Sequence, residues 1–135
     1  MTQLSIQKSM FLAASRERVW EYLTDPDALS SWFHRPDQSL QSGAPFEMNN
    51  AEGNKICWGE VQTAEPPSHL TYTFTAGPMN GLMTTVTWTL TAVEGGTRLE
   101  LIHDGFPSGA EAFGLLAAFD AGWDDHLKRM RSVDD

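Results

Sequence analysis

The sequence predicts an α+β fold, a curved antiparallel sheet of about six strands wrapped around a long C-terminal helix, with two short helices after the first strand. Three observations predict it. From Thr71 to Thr91, in TYTFTAGPMNGLMTTVTWTLT, threonine takes alternate places while Tyr72, Phe74, Val86, Trp88 and Leu90 stand between, the pattern of strands with one dry face. The breaks between such runs are short and rich in Gly, Pro and Asn, which joins neighbouring strands as hairpins. From Ser108 onward the apolar residues recur at helical spacing.

A first strand runs from Ile6 to Leu12. In SRERVWEYLTDP, Ser15 is suited to N-cap a helix that puts Val19 and Leu23 on one face, and Pro26 ends it. Pro26 also fits the first turn of a second short helix, with Asp25 as its N-cap, running toward SSWF. RPDQSLQSG reads as a loop. Strands follow around Phe46–Asn49, Lys55–Thr63, His69–Thr75, Met83–Val93 and Thr97–His103, separated by NNAEGN, EPPS, GPMNG and EGG.

The last helix opens on SGAE, where Ser108 and Glu111 have capping-box spacing. Its apolar stripe is Phe113, Leu116, Ala117, Trp123, Leu127 and Met130, and Asp124 with Lys128 and Asp125 with Arg129 make a solvated, charge-paired flank. The stripe needs an apolar surface to cover, and the aromatic face of the sheet is the one available. No repeat or linker composition divides the chain, so residues 1–135 are expected to form a single domain.

The net charge of −9, with no Lys/Arg cluster, argues against a nucleic-acid partner or an anionic membrane. No apolar run approaches bilayer length and MTQLSIQKSM lacks a basic start followed by a long apolar run, so no membrane insertion and a cytoplasmic location are expected. Cys57 is the single cysteine, which suits a small buried hydrophobe. His34, His69, His103 and His126 lack metal-ligand spacing, and no nucleophile elbow or phosphate loop occurs, so neither metal nor cofactor is expected.

The aromatic side chains Trp32, Phe33, Phe46, Trp58, Tyr72, Phe74, Trp88, Phe113, Phe119 and Trp123, with Leu116, fit two readings, a packed core and the lining of an apolar pocket. Polar residues share their faces. The inward parity set by Ile56 and Trp58 carries on to Glu60 and Gln62, and that of Leu99 and Leu101 carries on to His103. Each is read either as a solvated strand end or as a polar anchor. Asp120, four residues after Leu116, sits in the helical apolar stripe, where an ionised carboxylate costs several kcal/mol unless paired or watered. A structural partner and a cavity anchor are the two readings of Asp120.

Four blocks resemble a known family: ASRERVWEYLTDPDALSSWF (Ala14–Phe33), GEVQTAEPPSHLTYTF (Gly59–Phe74), VTWTLTAVEGGTRLELIHDGF (Val86–Phe106) and GWDDHLKRM (Gly122–Met130). In that order they are similar to the SRPBCC, or START-like, superfamily, in the AHSA1-like branch named after the activator of the Hsp90 ATPase. The resemblance implies a helix-grip fold whose helix and sheet leave a cavity for lipids, hormones, polyketides or other apolar molecules. It implies carriers, cyclases and co-chaperone domains alike, so fold alone does not choose among them.

The resulting expectation is a protein that binds apolar or aromatic small molecules in an internal hydrophobic cavity. Its lining would be Trp32, Phe46, Trp58, Tyr72, Phe74, Trp88, Phe113, Leu116 and Trp123, with Glu60, His103 and Asp120 as polar anchors. A co-chaperone-like interaction module is one alternative. A cyclase or hydrolase using Glu60, His103 and Asp120 as acid and base is the other. Binding is favoured over catalysis, and an oligomer is compatible with the sequence.

Overall fold

Residues 4–50, 52–79, 81–107 and 110–134 are described by a computed structural model. Period-2 alternation organises its sheet. Between β5 (His69–Ala76) and β6 (Thr84–Val93), Leu70, Tyr72 and Phe74 lie opposite Trp88, Val86 and Thr84 on the buried side. Thr71 and Thr73 lie opposite Thr87 and Thr85 on the outer side. The threonines thus form the outer face of the ladder and the aromatic residues the inner one. β7 (Gly96–Phe106) pairs with β6 on one edge and with β1 (Leu4–Leu12) on the other.

On the far side β5 pairs with β4 (Lys55–Glu65), β4 with β3 (Pro45–Asn49), and β3 with β2 (Arg35–Pro36). The order is β1-β7-β6-β5-β4-β3-β2, antiparallel throughout. The sheet therefore has seven strands among the described residues, against about six from sequence. The extra one, β2, spans two residues within the RPDQSLQSG loop, too few for any alternation to show. In the β6–β7 turn Val93 faces Gly96, and Gly95 takes φ +84°, a left-handed conformation that glycine adopts without steric cost.

The two short helices begin where the capping residues predict. Ser15 Oγ accepts from the Arg18 amide at 3.2 Å to open α1 (Arg16–Thr24), which buries Val19 and Leu23. Asp25 accepts from the Ala28 amide at 3.1 Å to open α2 (Pro26–Trp32), with Pro26 in its first turn. The predicted capping box rests on Ser108, which lies outside the described residues. The long helix α3 spans 25 residues, Ala110–Asp134.

Only the C-terminal half of α3 is gripped. Trp123, Leu127 and Met130 are buried as the stripe predicts, but Ala117 is exposed and Phe113 is 64% exposed. The helix rests on α2 and β1, and its N-terminal half, more exposed, reaches the middle strands through Phe119, which meets Phe74, His103 and Phe106. A stripe apolar along its whole length requires one sheet face to cover the whole helix, and here the N-terminal half is left partly uncovered. Its charged flank also differs, since Asp124 reaches Lys8 on β1 and Arg129 turns toward α2.

Beneath the gripped half the interior is filled by aromatic side chains whose polar atoms are all matched. Trp32 Nε1 donates to the Tyr22 carbonyl at 2.7 Å, and Trp88 Nε1 to the Tyr72 hydroxyl at 3.0 Å. An indole N–H buried without an acceptor would cost about 1–3 kcal/mol, so these bonds are what allow tryptophan at these positions. No described helix is long and apolar enough to cross a membrane.

Candidate ligand cleft

Where α3 stands off the sheet, a cleft of about 260 Å³ opens beneath it. Its floor comes from Ile56 and Cys57 on β4 and from Phe74 and Ala76 on β5. Phe33, at the end of α2, forms one end wall and organises the rings around it. It stacks on Trp123 at 5.3 Å and on Trp32 at 5.2 Å between ring centroids, each with an interplanar angle of 21°.

The roof explains why space remains. Leu115, Phe119 and Trp123 hang from α3, but between them stand Ala118 and Gly122. A Cβ built on Gly122 meets nothing within 4 Å, so the glycine is not required by crowding. A glycine in a helix interior gives up about 1 kcal/mol relative to alanine. Here that missing side chain is what leaves the cleft open.

Polar groups occur at the Phe33 end. His34 and His126 line the cleft with rings 5.4 Å apart. His126 Nδ1 lies 2.6 Å from Arg129 Nη2 and 3.3 Å from the Trp32 carbonyl oxygen. A guanidinium only donates, so Nδ1 accepts from Arg129 and the ring proton sits on Nε2. The Trp32 carbonyl accepts from Arg129 Nε at 3.4 Å instead. Burial, with the Arg129 charge, lowers His126 to about 4 and moves His34 downward as well, so both rings are neutral near pH 7. Burial pushes the Cys57 thiol up to about 12, which makes it an apolar wall and a poor nucleophile.

Of the residues expected to line a cavity, Phe74 and Trp123 line this cleft, joined by Phe33 and Phe119 from the wider aromatic set. Trp32, Phe46, Tyr72 and Trp88 are buried in the filled interior, where Phe46 meets Tyr72 edge-on. Leu116 packs on that interior and is not part of the cleft. Phe113 is a solvent-exposed residue, as described above.

The predicted parity of β4 is reversed. Cys57 and Val61 point inward, Glu60 and Gln62 are exposed, and Trp58 is half-buried beneath the Lys55 ammonium, 4.3 Å from its ring centroid. Gly59 hides this pattern. It lies on the inward side opposite Phe46, where a Cβ would come within 1.9 Å of the Thr73 carbonyl oxygen, so no apolar side chain could mark the inner face.

His103 is buried, as its parity predicts, but it is a structural histidine and not a cleft anchor. Trp123 Nε1 donates to its Nδ1 at 2.9 Å, which leaves the proton on Nε2 to donate to Thr84 Oγ1 at 2.7 Å. Thr84 in turn donates to the Phe74 carbonyl at 2.6 Å. Every proton in this chain is assigned by the donor-only indole at its head. Burial lowers the His103 pKa to about 3.

Asp120 does not face the cleft. The cleft side of α3 carries Leu115, Phe119, Gly122 and His126, about one residue, or ~100°, round from the predicted stripe. Asp120 and Asp124 instead grip Lys8 Nζ at 2.8 and 2.9 Å and tie the helix to β1. Burial pulls the Lys8 pKa down, but hydrogen bonds and charge from both aspartates outweigh it and leave it raised. Since the Asp120 side chain is 51% exposed, Asp120→Asn should cost no more than about 1 kcal/mol in urea unfolding and leave ligand affinity unchanged. A fall in affinity would restore it as an anchor.

Glu60, His103 and Asp120 thus occupy three separate environments, and the acid–base constellation is not assembled. The residues the sequence did not single out are His34, His126 and Gly122. A legible signal for Gly122 was a glycine within a helical run beside large apolar residues. Among the described residues no group of three or more His, Cys, Asp or Glu could hold a metal ion.

A curved antiparallel sheet gripping a long helix, with an aromatic-lined cleft between them, defines a helix-grip domain. The chain belongs to the family described as activator of Hsp90 ATPase homolog 1-like protein, whose sequence profile matches residues 13–133. Its fold is similar to that of protein MLL2253 from Mesorhizobium loti, with a TM-score of 0.83, 23% identity, and 96% of this chain and 95% of that one covered. DynU16, from the dynemicin biosynthetic locus, is similar with a TM-score of 0.78 and 26% identity over 95% of this chain and 46% of that one. This chain therefore spans about half of DynU16. CalU16 from Micromonospora echinospora gives a TM-score of 0.76 and 25% identity over 98% of this chain and 76% of its own. No curated protein sequence matches the chain.

Proposed function

We propose that the protein binds small apolar, largely aromatic molecules in the cleft beneath the N-terminal half of α3. One observation carries this reading: Gly122 leaves a space open among Phe33, Phe74, Phe119 and Trp123, while the buried aromatic residues Trp32, Phe46, Tyr72 and Trp88 fill the interior. Apolar cavities are poorly hydrated and accept apolar guests. At about 260 Å³ the cleft lies just below the ~300–1,000 Å³ range of ligand sites, which suits a guest of two or three rings. A similar fold in a protein from a biosynthetic locus supports a small molecule over a protein as the occupant. The chaperone-interaction alternative draws on the family's name alone.

N-phenyl-1-naphthylamine, a neutral dye whose emission rises in apolar surroundings, tests the proposal. Its emission should rise with a Kd of about 1–50 μM, where 1 μM corresponds to about −8 kcal/mol. No rise at roughly 0.1 mM dye, an affinity weaker than about −5.5 kcal/mol, would reject it.

A further inference from the structure

The cleft is apolar along its length but not at its Phe33 end. There the His126 proton is held on Nε2 by the Arg129 guanidinium at Nδ1, and neither His126 Nε2 nor either nitrogen of His34 has a hydrogen-bond partner among the described residues. The other polar atoms of the neighbourhood are engaged: the Trp123 indole by His103, and the Trp32 carbonyl by Arg129. Phe33 and His34 also form part of a second depression, lined by Ser30, Arg35, Asn49 and Asn50. The histidine end therefore leads to polar surface, while Phe119 and Ala76 belong to an apolar body.

We infer that His126 is a specificity-determining residue, and that the preferred ligand is a flat apolar molecule carrying at one end a carbonyl oxygen that accepts from His126 Nε2–H beside His34. This rests on the proposed binding in the cleft and names its ligand class. A neutral imidazole presents one donor and one acceptor, and Arg129 takes the acceptor of His126, so His126 offers the cleft a donor alone. The guanidinium withdraws electrons from Nδ1 and makes Nε2–H the better donor. A guest with no acceptor leaves that N–H desolvated without a partner, and a guest with a carbonyl oxygen satisfies it. His34, unbonded and 5.4 Å away ring to ring, flanks the same oxygen.

A matched pair of probes isolates this contact: 2-acetylnaphthalene and 2-ethylnaphthalene have nearly the same shape and differ by the carbonyl. Each is titrated as a competitor of N-phenyl-1-naphthylamine, and the affinity ratio of acetyl to ethyl compound is compared between the native protein and His126 variants. In His126→Phe, or His126→Leu if the larger ring does not pack, the ratio should fall about three- to tenfold, the worth of one hydrogen bond. His126→Gln, whose amide nitrogen can take the place of Nε2, should keep most of it. An unchanged ratio in the donor-less variants overturns the inference and leaves cleft binding intact. Failure of both compounds to displace the dye from the native protein overturns cleft binding itself.

Discussion

Replacing Trp123 by alanine should remove about 3–5 kcal/mol of folding stability, the ordinary cost of truncating a buried tryptophan. Trp123 is 2% exposed and does three things at once. It fills the interior against Trp88 at 5.5 Å between centroids, stacks on Phe33, and donates the proton that orders His103. Because small domains hold only about 5–15 kcal/mol in reserve, that loss is a large fraction of the total. Trp123→Phe separates the roles. It keeps the ring and loses the N–H, leaving His103 Nδ1 without a donor, and should cost about 1–3 kcal/mol in a urea titration. A Trp123→Phe protein as stable as the native one would show that the His103 chain is incidental to folding.

Acidification should destabilise the protein well above the pH at which carboxylates titrate. His103 is 0% exposed, and its folded pKa of about 3 lies below the ordinary value of 6.5. As pH falls, the unfolded chain therefore takes up this proton first. The stabilisation is complete above about pH 6.5 and is lost progressively down to about pH 3, at roughly 1.4 kcal/mol per pH unit. Between pH 6.5 and 5 that is about 2 kcal/mol from His103 alone. His126, lowered to about 4, adds in the same direction. Protonating His103 would also set a second N–H against the Trp123 indole, so the geometry and the burial agree. Urea midpoints across this range should fall steeply for the native protein and less steeply for His103→Phe. Equal slopes would mean that another group carries the acid sensitivity.

Much of the fold was legible because local chemistry and tertiary packing coincide. Ser15 and Asp25 cap their helices, the threonines of β5 and β6 mark the outer face, and the glycine- and proline-rich breaks join antiparallel neighbours. The candidate site was less legible, for two physical reasons. First, side chains on a strand reveal its phase only where they are large. On β4 the inner face is written in Cys57, Gly59 and Val61, while Trp58 on the outer face gains its cover from the Lys55 stem and ammonium. Second, a helix phase read from apolar residues assumes that they are all covered. On α3 the N-terminal half stands over a cleft, so Phe113 faces solvent and the stripe continues through Leu115, Phe119 and Gly122. Asp120 was displaced by that same step, from a supposed cavity to the ion pair with Lys8. What opens the cleft is a missing side chain, and periodicity counts only the side chains that are present.

Gly122 offers the most direct measurement, because it lines the cleft and a Cβ added there meets no atom within 4 Å. Gly122→Ala should hold stability or raise it by up to about 1 kcal/mol, since alanine is the better helix former. Gly122→Leu should fold equally well, because its side chain leans along the helix toward Ala118 and occupies the open volume. The decisive comparison is the N-phenyl-1-naphthylamine titration of Gly122→Leu beside the native protein, with urea unfolding of both as the control. The cleft account predicts native-like or higher stability and dye affinity weaker by at least about tenfold. A Gly122→Leu protein that folds normally and binds the dye as the native one does would place the dye elsewhere and contradict the account.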